Sequence, residues 1–267
     1  MAQVARMNNE FYPLRVAHVR RDTQDAVIVE LETPPALSSV FAFRAGQHLT
    51  LRRCFDGQEL HRNYSICTAP HENMLRIAVK TVGGGLFSRW ANEGLSAGDV
   101  VDVAPPRGNF TWPFGAPGGP RQYAAFAGGS GIAPILSIMK SALAVEANSL
   151  FTLCYGNRTS TGMMFREELE ALKRRFTGRA TIHHFIEDDN AAQRGVRFDR
   201  ANVDRILDSA MDAARVEAFF VCGPGPMIDA VEESLAAHGV PRERIVTERF
   251  TTHPAANAKQ QPRGVDP

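Results

Sequence analysis

The sequence predicts two domains, a Greek-key antiparallel β-barrel followed by an α/β domain built on a five-stranded parallel sheet. Its 267 residues are enough for about two domains of ordinary size. The first part holds short β-type runs without long helices between them, whereas strand-like and helix-like runs alternate in the second part. We therefore expect a barrel over 11–112, a linker over 113–121, an α/β domain over 122–252 and a disordered tail over 253–267.

Composition and charge argue against several classes of protein. With 44% apolar and 22% charged residues, the chain has the composition of a globular protein. Its net charge of +1, without a dense block of Lys or Arg, gives no support for nucleic-acid binding. No apolar run reaches the ~20 residues that cross a bilayer, and the N-terminus lacks the apolar core of a signal peptide. We expect a cytoplasmic protein without a membrane partner.

The cysteines do not have the spacing of a metal site. They are Cys54, Cys67, Cys154 and Cys222. Neither the C-x-x-C of zinc sites nor the plant-type iron–sulfur spacing occurs, so we expect no metal site and no iron–sulfur cluster within this chain. His183 and His184 belong to no acidic or cysteine cluster and are interpreted as strand residues.

Six short runs are predicted as barrel strands, over 14–19, 26–31, 48–54, 60–66, 75–82 and 100–103. Asp56-Gly57 is a strong hairpin signal between the third and fourth. The fourth run contains Arg62-Asn63-Tyr64-Ser65. An Arg and a Tyr on one face can bind a phosphate and lie against a flat ring, while the serine donates to a ring nitrogen. These are the contacts that a flavin nucleotide requires; the alternative is a half-exposed strand with solvated side chains.

A glycine loop follows the fifth predicted strand. Gly83, Gly84 and Gly85 precede a short helical segment that contains Ser88 and ends near Gly94. Backbone N–H groups at such a helix start attract an anion, so the loop suits a diphosphate. The alternative is a flexible turn with Ser88 facing water.

The second half predicts strands over 123–127, 150–155, 180–186, 218–222 and 245–250, and helices over 134–146, 165–176, 199–209 and 227–238. In the last helix Ile228, Val231 and Leu235 form one apolar stripe, and Gly239 ends the helix. This alternation predicts a parallel sheet with helices on both faces.

Three motifs end strands of this half, where open α/β sheets bind ligands. Gly128 to Pro134 only half matches the dinucleotide fingerprint G-x-G-x-x-G, so a pyrophosphate cradle and a structural turn both remain open. Asn157-Arg158 stands where an acidic residue would select NAD, which favours NADP unless Arg158 is merely exposed. Cys222 is equally consistent with a site residue and a small buried hydrophobe.

Taken in order, R-x-Y-S, V-K with its glycine loop, G-G-S-G-I-x-P, Y-G-N-R, C-G-P-x-x-M and E-R-F resemble the ferredoxin–NADP reductase family over about residues 14 to 252. Within it, the chain is most similar to the branch formed by the reductase subunits of bacterial phenylacetyl-CoA epoxidases. The resemblance implies a flavin-binding barrel followed by a pyridine-nucleotide domain. The cofactors it implies are FAD, with FMN less favoured, and NADPH.

The resemblance also implies site residues. The flavin side comprises Arg62, Asn63, Tyr64, Ser65, Val79, Gly84, Gly85, Leu86, Phe87 and Ser88. Within it, Arg62 holds the flavin phosphate, Tyr64 lies on the flavin and Ser65 bonds near N5. The nucleotide side comprises Gly129, Ser130, Gly131, Pro134, Asn157, Arg158, Cys222, Gly223, Met227 and Phe250. Ser65, Cys222 and Glu248 are the implied catalytic residues.

The implied activity is hydride transfer from NADPH C4 to FAD N5, followed by one-electron steps to a ferredoxin or an iron-dependent oxygenase component in aromatic-acid catabolism. That branch carries a plant-type iron–sulfur domain after E-R-F, whereas this sequence ends at Pro267 without its cysteines. We expect a removed domain or a separate acceptor. Three alternatives stay open: a flavodoxin or ferredoxin reductase of general metabolism, a reductase that releases reduced flavin, and a non-catalytic flavin-binding subunit of an oxygenase.

Overall fold

A computed structural model describes residues 11–117, 119–187 and 197–250, so the tail expected over 253–267 lies outside the described residues. The described part of the first domain contains six strands and one α-helix. They are β1 (Tyr12–Thr23), β2 (Ala26–Leu31), β3 (His48–Phe55), β4 (Gln58–Ser65), β5 (Leu75–Lys80), α1 (Leu86–Glu93) and β6 (Val100–Val103). The strand order is β4-β3-β6-β1-β2-β5, with antiparallel pairing throughout. An antiparallel bridge from Ile66 to Ile77 joins the two ends, which confirms the predicted barrel.

Strand β1 is longer than the sequence indicated. We expected a run over 14–19, yet the strand continues to Thr23. Arg20, Arg21 and Thr23 pair with β2, and the chain turns only at residues 24–25. The predicted end was therefore wrong, because cross-strand pairing outweighs the low apolar content of this stretch.

The second domain contains five strands and four α-helices in the described part of the chain. They are β7 (Gln122–Gly128), α2 (Ile132–Val145), β8 (Leu150–Asn157), α3 (Arg166–Arg175), β9 (Ala180–Ile186), α4 (Arg200–Ala210), β10 (Val216–Gly223), α5 (Gly225–Ala237) and β11 (Ile245–Arg249). The sheet order is β11-β10-β7-β8-β9, and every pair is parallel. Ile228, Val231 and Leu235 are fully buried, as the apolar stripe predicted.

Each face of this sheet has its own core. Alternate residues such as Phe126 and Cys154 pack with α4 and α5, whereas their neighbours Ala125 and Leu153 pack with α2 and α3. The core on the face covered by α2 and α3 continues into the barrel through Ile28 and other buried residues, so the two domains share packed apolar surface. No helix in the described ranges has the length and apolar character to span a membrane.

The connection between the domains packs against the α/β domain. The Phe114 ring lies edge-on to Tyr123, with 5.4 Å between ring centroids, and the Gly115 N–H donates to Glu146 Oε1 at 3.0 Å. From β7 the chain proceeds to β8 and β9 on one side, then returns to place β10 and β11 on the other. This reversal puts a topological switch point between β7 and β10, where open α/β sheets bind their ligands.

Candidate active site

The three residues predicted to be catalytic meet at the domain boundary. Ser65 ends β4 of the barrel, and its hydroxyl donates to Glu248 Oε2 at 3.4 Å across a sequence separation of 183 residues. Glu248 lies in β11, directly opposite Cys222 of β10 in the parallel register. Barrel and α/β domain therefore jointly build one cluster beside the switch point.

The electrostatics of the cluster keep the thiol neutral. Cys222 is fully buried, and this burial raises its pKa well above the usual range, with the nearby negative charge of Glu248 adding to the effect. At neutral pH the group is a thiol and not a thiolate, so it can pack or donate a weak hydrogen bond but is a poor nucleophile. At the site, Cys222 can therefore act only as an uncharged, polarizable neighbour of Glu248.

His48 belongs to the same cluster and was not predicted from the sequence. It begins β3 opposite Ser65, and its Nδ1 lies 3.8 Å from Glu248 Oε1, so a protonated imidazole would form an ion pair there. A signal for it existed. The Asp56-Gly57 turn pairs Phe55 with Gln58, and continuing that register along the hairpin puts His48 opposite Ser65.

On the barrel side, Arg62 is available for an anion. Its guanidinium is exposed and donates to the carbonyl of His61 at 2.7 Å, and among the described residues no carboxylate lies within 4 Å of it. Asn63 accepts a hydrogen bond from Thr50. The Tyr64 ring lies 5.8 Å from Phe87 between centroids, and burial raises its pKa, so the phenol is neutral. An unpaired guanidinium beside a neutral aromatic ring fits the phosphate and ring of a flavin nucleotide.

The barrel glycine loop, residues 83–85, precedes α1 as predicted. Gly84 has a φ of +74°, and no heavy atom lies within 4 Å of a Cβ built on Gly83 or Gly84, so the loop is open on that side. Gly85 caps the helix and Leu86 is exposed. An open loop at a helix N-terminus fits a diphosphate.

Three residues that were predicted to contact the flavin, Val79, Phe87 and Ser88, are buried. The buried Ser88 hydroxyl accepts from the Val82 N–H at 3.1 Å and donates to the Gly85 carbonyl at 3.2 Å, so it holds the loop together. Val79 and Phe87 are 1% exposed and pack in the barrel core. The predicted contacts of Val79 and Phe87 with FAD would therefore be through their backbones, and all three assignments stay predictions.

The nucleotide glycine loop, residues 128–131, is braced from behind. A Cβ on Gly131 would lie 2.2 Å from the Cys222 carbonyl oxygen, and one on Gly128 would lie 2.6 Å from Met227 Sδ. Only Gly129, with a φ of +53°, has no heavy atom within 4 Å of its Cβ position. Two of these glycines thus serve close packing of β7 against β10, and the third leaves an open backbone for a ligand.

The remaining predicted nucleotide contacts lie near the carboxyl ends of β7, β8, β10 and β11. Ser130 is half-buried, Pro134 lies inside α2, Gly223 touches Met227 in the same packing, and Phe250 is 39% exposed after β11.

Arg158 is exposed just after β8, while Asn157 is buried with no hydrogen-bond partner for its Nδ2 among the described residues. Tyr155 connects the regions, since its hydroxyl donates to the Gly129 carbonyl at 3.1 Å and accepts from the Met164 N–H at 3.2 Å.

Two family models match the chain. The oxidoreductase FAD-binding domain matches residues 13–112, and the oxidoreductase NAD-binding domain matches residues 126–233. These matches assign the barrel to FAD and the α/β domain to a pyridine nucleotide. The open barrel glycine loop and Arg62, which has no carboxylate partner among the described residues, fit FAD. The open backbone at Gly129 fits a pyridine nucleotide.

Two relatives that match about nine tenths of the chain are a subunit of an epoxidase and a component of a monooxygenase. One subunit of the 1,2-phenylacetyl-CoA epoxidase from Escherichia coli (strain K12) is 40% identical over 91% of this chain and 68% of its own length. The ferredoxin reductase component of 3-ketosteroid-9-alpha-monooxygenase from Rhodococcus rhodochrous is 32% identical over 90% of this chain and 65% of its own. The chain thus spans about two thirds of the length of these relatives.

Solved structures share the fold. The FAD/NAD-binding domain of nitric oxide dioxygenase from Vibrio cholerae aligns with a TM-score of 0.75 at 21% identity, covering 89% of this chain and 98% of that one. Ferredoxin–NADP⁺ reductase from Plasmodium falciparum aligns with a TM-score of 0.72 at 17% identity, covering 90% and 96%. They confirm the predicted arrangement of barrel and α/β domain.

Proposed function

Because the chain belongs to the ferredoxin–NADP reductase family of FAD- and pyridine-nucleotide-dependent oxidoreductases, we propose that it takes hydride from NADPH and passes electrons singly to an iron–sulfur protein or an oxygenase component. The observation that carries the proposal is the meeting of Ser65, Cys222 and Glu248 across the domain boundary. Groups that share one small cluster but come from two domains are suited to a reaction between two bound ligands, one on each domain.

Each residue has a distinct task. Bound FAD would supply the step between two-electron and one-electron chemistry. Arg62 and the barrel glycine loop would bind its phosphates, and the Ser65 hydroxyl, which donates to Glu248 in the structure, would turn its single proton to the flavin ring. Cys222, a buried and neutral thiol, would exclude water from the nicotinamide side. Positioning of this kind lowers a barrier by several kcal/mol because the entropy of bringing the reactants together has already been lost.

The coenzyme is proposed to be NADPH. Arg158 stands where an acidic residue would bind the 2′-hydroxyl of NADH, and no carboxylate in the described ranges neutralises it. Arg158→Ala should raise the KM for NADPH about tenfold or more and leave the KM for NADH nearly unchanged, since only a phosphate contact is lost. Steady-state kinetics with both coenzymes measure this. An equal change for both would mean that Arg158 is structural.

The pathway is proposed from the relatives. The similarity to a phenylacetyl-CoA epoxidase subunit favours a role in aromatic-acid catabolism, and the similarity to a monooxygenase reductase component favours an oxygenase as the final acceptor. Within residues 1–267 we find no cysteine spacing for a cluster, so the one-electron carrier is proposed to lie outside them.

An anaerobic titration tests the proposal. The purified chain should be yellow, and NADPH should bleach its flavin absorbance in a stoichiometric reaction. Ferricyanide should then be reduced quickly, whereas an oxygenase component should need an added ferredoxin. Flavin that is bound but never bleached would instead support a non-catalytic subunit. Flavin that leaves the protein when reduced would support a reductase that releases reduced flavin.

A further inference from the structure

We propose that Asp22 and Lys80 of the barrel are positioning residues that hold the β8–α3 loop, residues 158–165, in the conformation that binds the adenosine phosphate of NADPH. The proposal deepens the proposed function and rests on it, because Arg158 lies at the start of this loop. Its basis is a set of contacts that cross from the FAD domain to the nucleotide domain.

Asp22 caps helix α3 from the other domain. Its Oδ2 accepts a hydrogen bond from the Phe165 N–H at 2.9 Å, and only 7% of its side-chain surface is exposed. Phe165 occupies the N-cap position of α3. Its N–H is one of the first N–H groups of the helix, which have no acceptor within the helix. The barrel therefore supplies, through Asp22, an acceptor for the N–H at the start of α3.

The loop ends in a strained conformation. Phe165 has a φ of +58°, a left-handed value that is unfavourable for a residue with a side chain. Two contacts compensate for this cost: the hydrogen bond to Asp22, and burial of the phenyl ring, which is 2% exposed. Strain held by surrounding structure is common where a segment must keep one geometry for a ligand.

Lys80 provides a second contact from the barrel. Its Nζ donates to the Gly162 carbonyl at 3.1 Å and is itself fixed by an ion pair with Asp25 Oδ1 at 3.1 Å. The loop is thus held at Gly162 and Phe165 by the barrel, and at Met164 by Tyr155 of its own domain. Arg158 is left exposed at the loop's open end, where it can meet a phosphate.

Stability alone does not account for Asp22. Burial raises its pKa, with Glu168 and Glu167 adding to the rise and the Phe165 N–H and Arg20 opposing it. A carboxyl whose pKa is raised by folding binds protons more tightly in the folded state. The free energy of unfolding therefore falls as pH rises from the unfolded to the folded pKa, and the ionised form lowers stability at neutral pH. An asparagine would keep an acceptor without this cost. Asp22→Asn should therefore be at least as stable as the natural chain.

Calorimetric binding of NADP⁺ and NAD⁺ to the FAD-loaded full chain tests the proposal. Asp22→Ala should weaken NADP⁺ binding about tenfold, leave NAD⁺ binding within about twofold, and weaken NADP⁺ no further in combination with Arg158→Ala. Asp22→Asn should restore NADP⁺ affinity because it retains the acceptor. Glu32→Ala is the matched control, since that exposed barrel carboxylate pairs within its own domain with Arg15.

The outcomes separate this inference from the proposed coenzyme preference. If Arg158→Ala loses NADP⁺ affinity while Asp22→Ala behaves like Glu32→Ala, the inference is wrong and the coenzyme preference stands. If Arg158→Ala binds NADP⁺ like the natural chain, both are wrong. Should Asp22→Ala fail to fold, Lys80→Met removes the other barrel contact and has the same two outcomes, because a loop released at Gly162 also frees Arg158 to move.

Discussion

The barrel glycine loop and the nucleotide glycine loop use the same residue type for different reasons. In the barrel loop, a Cβ built on Gly83 or Gly84 has no heavy atom within 4 Å. In the nucleotide loop, a Cβ built on Gly131 would overlap the Cys222 carbonyl oxygen. The first loop is open to a ligand and held only locally, through Ser88. The second is backed by a neighbouring strand and tied to Tyr155.

This difference indicates which half of the site is formed before its ligand binds. The nucleotide loop owes its shape to the packing of β7 against β10, so mutations there should disturb folding as well as binding. The barrel loop owes its shape to its own hydrogen bonds, so mutations there should alter FAD affinity more than stability.

The largest effect is expected from Gly131→Ala. Its new methyl group would overlap a backbone carbonyl that cannot move without shifting β10, so we expect a loss of about 3 kcal/mol or more in the free energy of unfolding. Gly83→Ala is the matched control, which should change stability by no more than about 0.5 kcal/mol because its methyl group meets nothing. Chemical denaturation measures both. Similar losses for the two variants would remove the distinction between the loops.

A large effect on FAD alone is expected from Arg62→Ala. The guanidinium is exposed and has no carboxylate partner in the described ranges, so its removal should cost little stability and most of the bound flavin. Flavin absorbance after gel filtration and the thermal midpoint of the apoprotein measure the two quantities. Full flavin content in the variant would show that Arg62 does not hold the phosphate.

A smaller effect on both quantities is expected from Ser88→Ala. The buried hydroxyl makes two hydrogen bonds within the barrel loop, and their loss leaves the Val82 N–H without its acceptor, for about 1–2 kcal/mol of stability. FAD affinity should fall because the loop is less ordered. If FAD affinity falls while stability is unchanged, the hydroxyl binds the diphosphate directly, as the family resemblance implied.

The smallest effect is expected from alkylation of cysteine. Burial raises the pKa of Cys67 and Cys154 to about 12 and that of Cys222 well above its usual range, so these thiols stay protonated near neutral pH. Cys54 is exposed. Iodoacetamide at neutral pH should therefore modify Cys54 alone, as peptide mass mapping would show, and flavin reduction should continue unchanged. Rapid labelling of Cys222 would contradict the braced nucleotide loop.

Much of the fold could be predicted from local pattern. The alternation of strands and helices indicated the parallel sheet, and the Asp56-Gly57 turn indicated the hairpin of β3 and β4. The extent of β1 could not be predicted in this way, because Arg20 and Arg21 lie in a strand only through their pairing with β2. Pairing between segments is not visible in the composition of either one.

The candidate site shows the same division. The motifs indicated Ser65, Cys222 and Glu248 separately, and the strand ends indicated the edge where two of them lie. The contact between Ser65 and Glu248 depends on how two domains dock, which no single motif encodes. For the same reason the sequence did not indicate that Asp22 accepts a hydrogen bond at the start of α3, since Asp22 and the donor Phe165 are 143 residues apart.

The most direct test of the account is single-turnover reduction of the bound flavin by NADPH in an anaerobic stopped-flow instrument, for the natural chain and for Cys222→Ala and Glu248→Gln. We predict that NADPH bleaches the flavin of the natural chain and that each variant retains FAD and NADP⁺ affinity but reacts about 100-fold more slowly, because Cys222 and Glu248 position the reacting rings while other residues bind the phosphates. Variants that react at the natural rate, or a natural chain whose bound flavin neither NADPH nor NADH reduces, would contradict the assignment of this cluster as the active site.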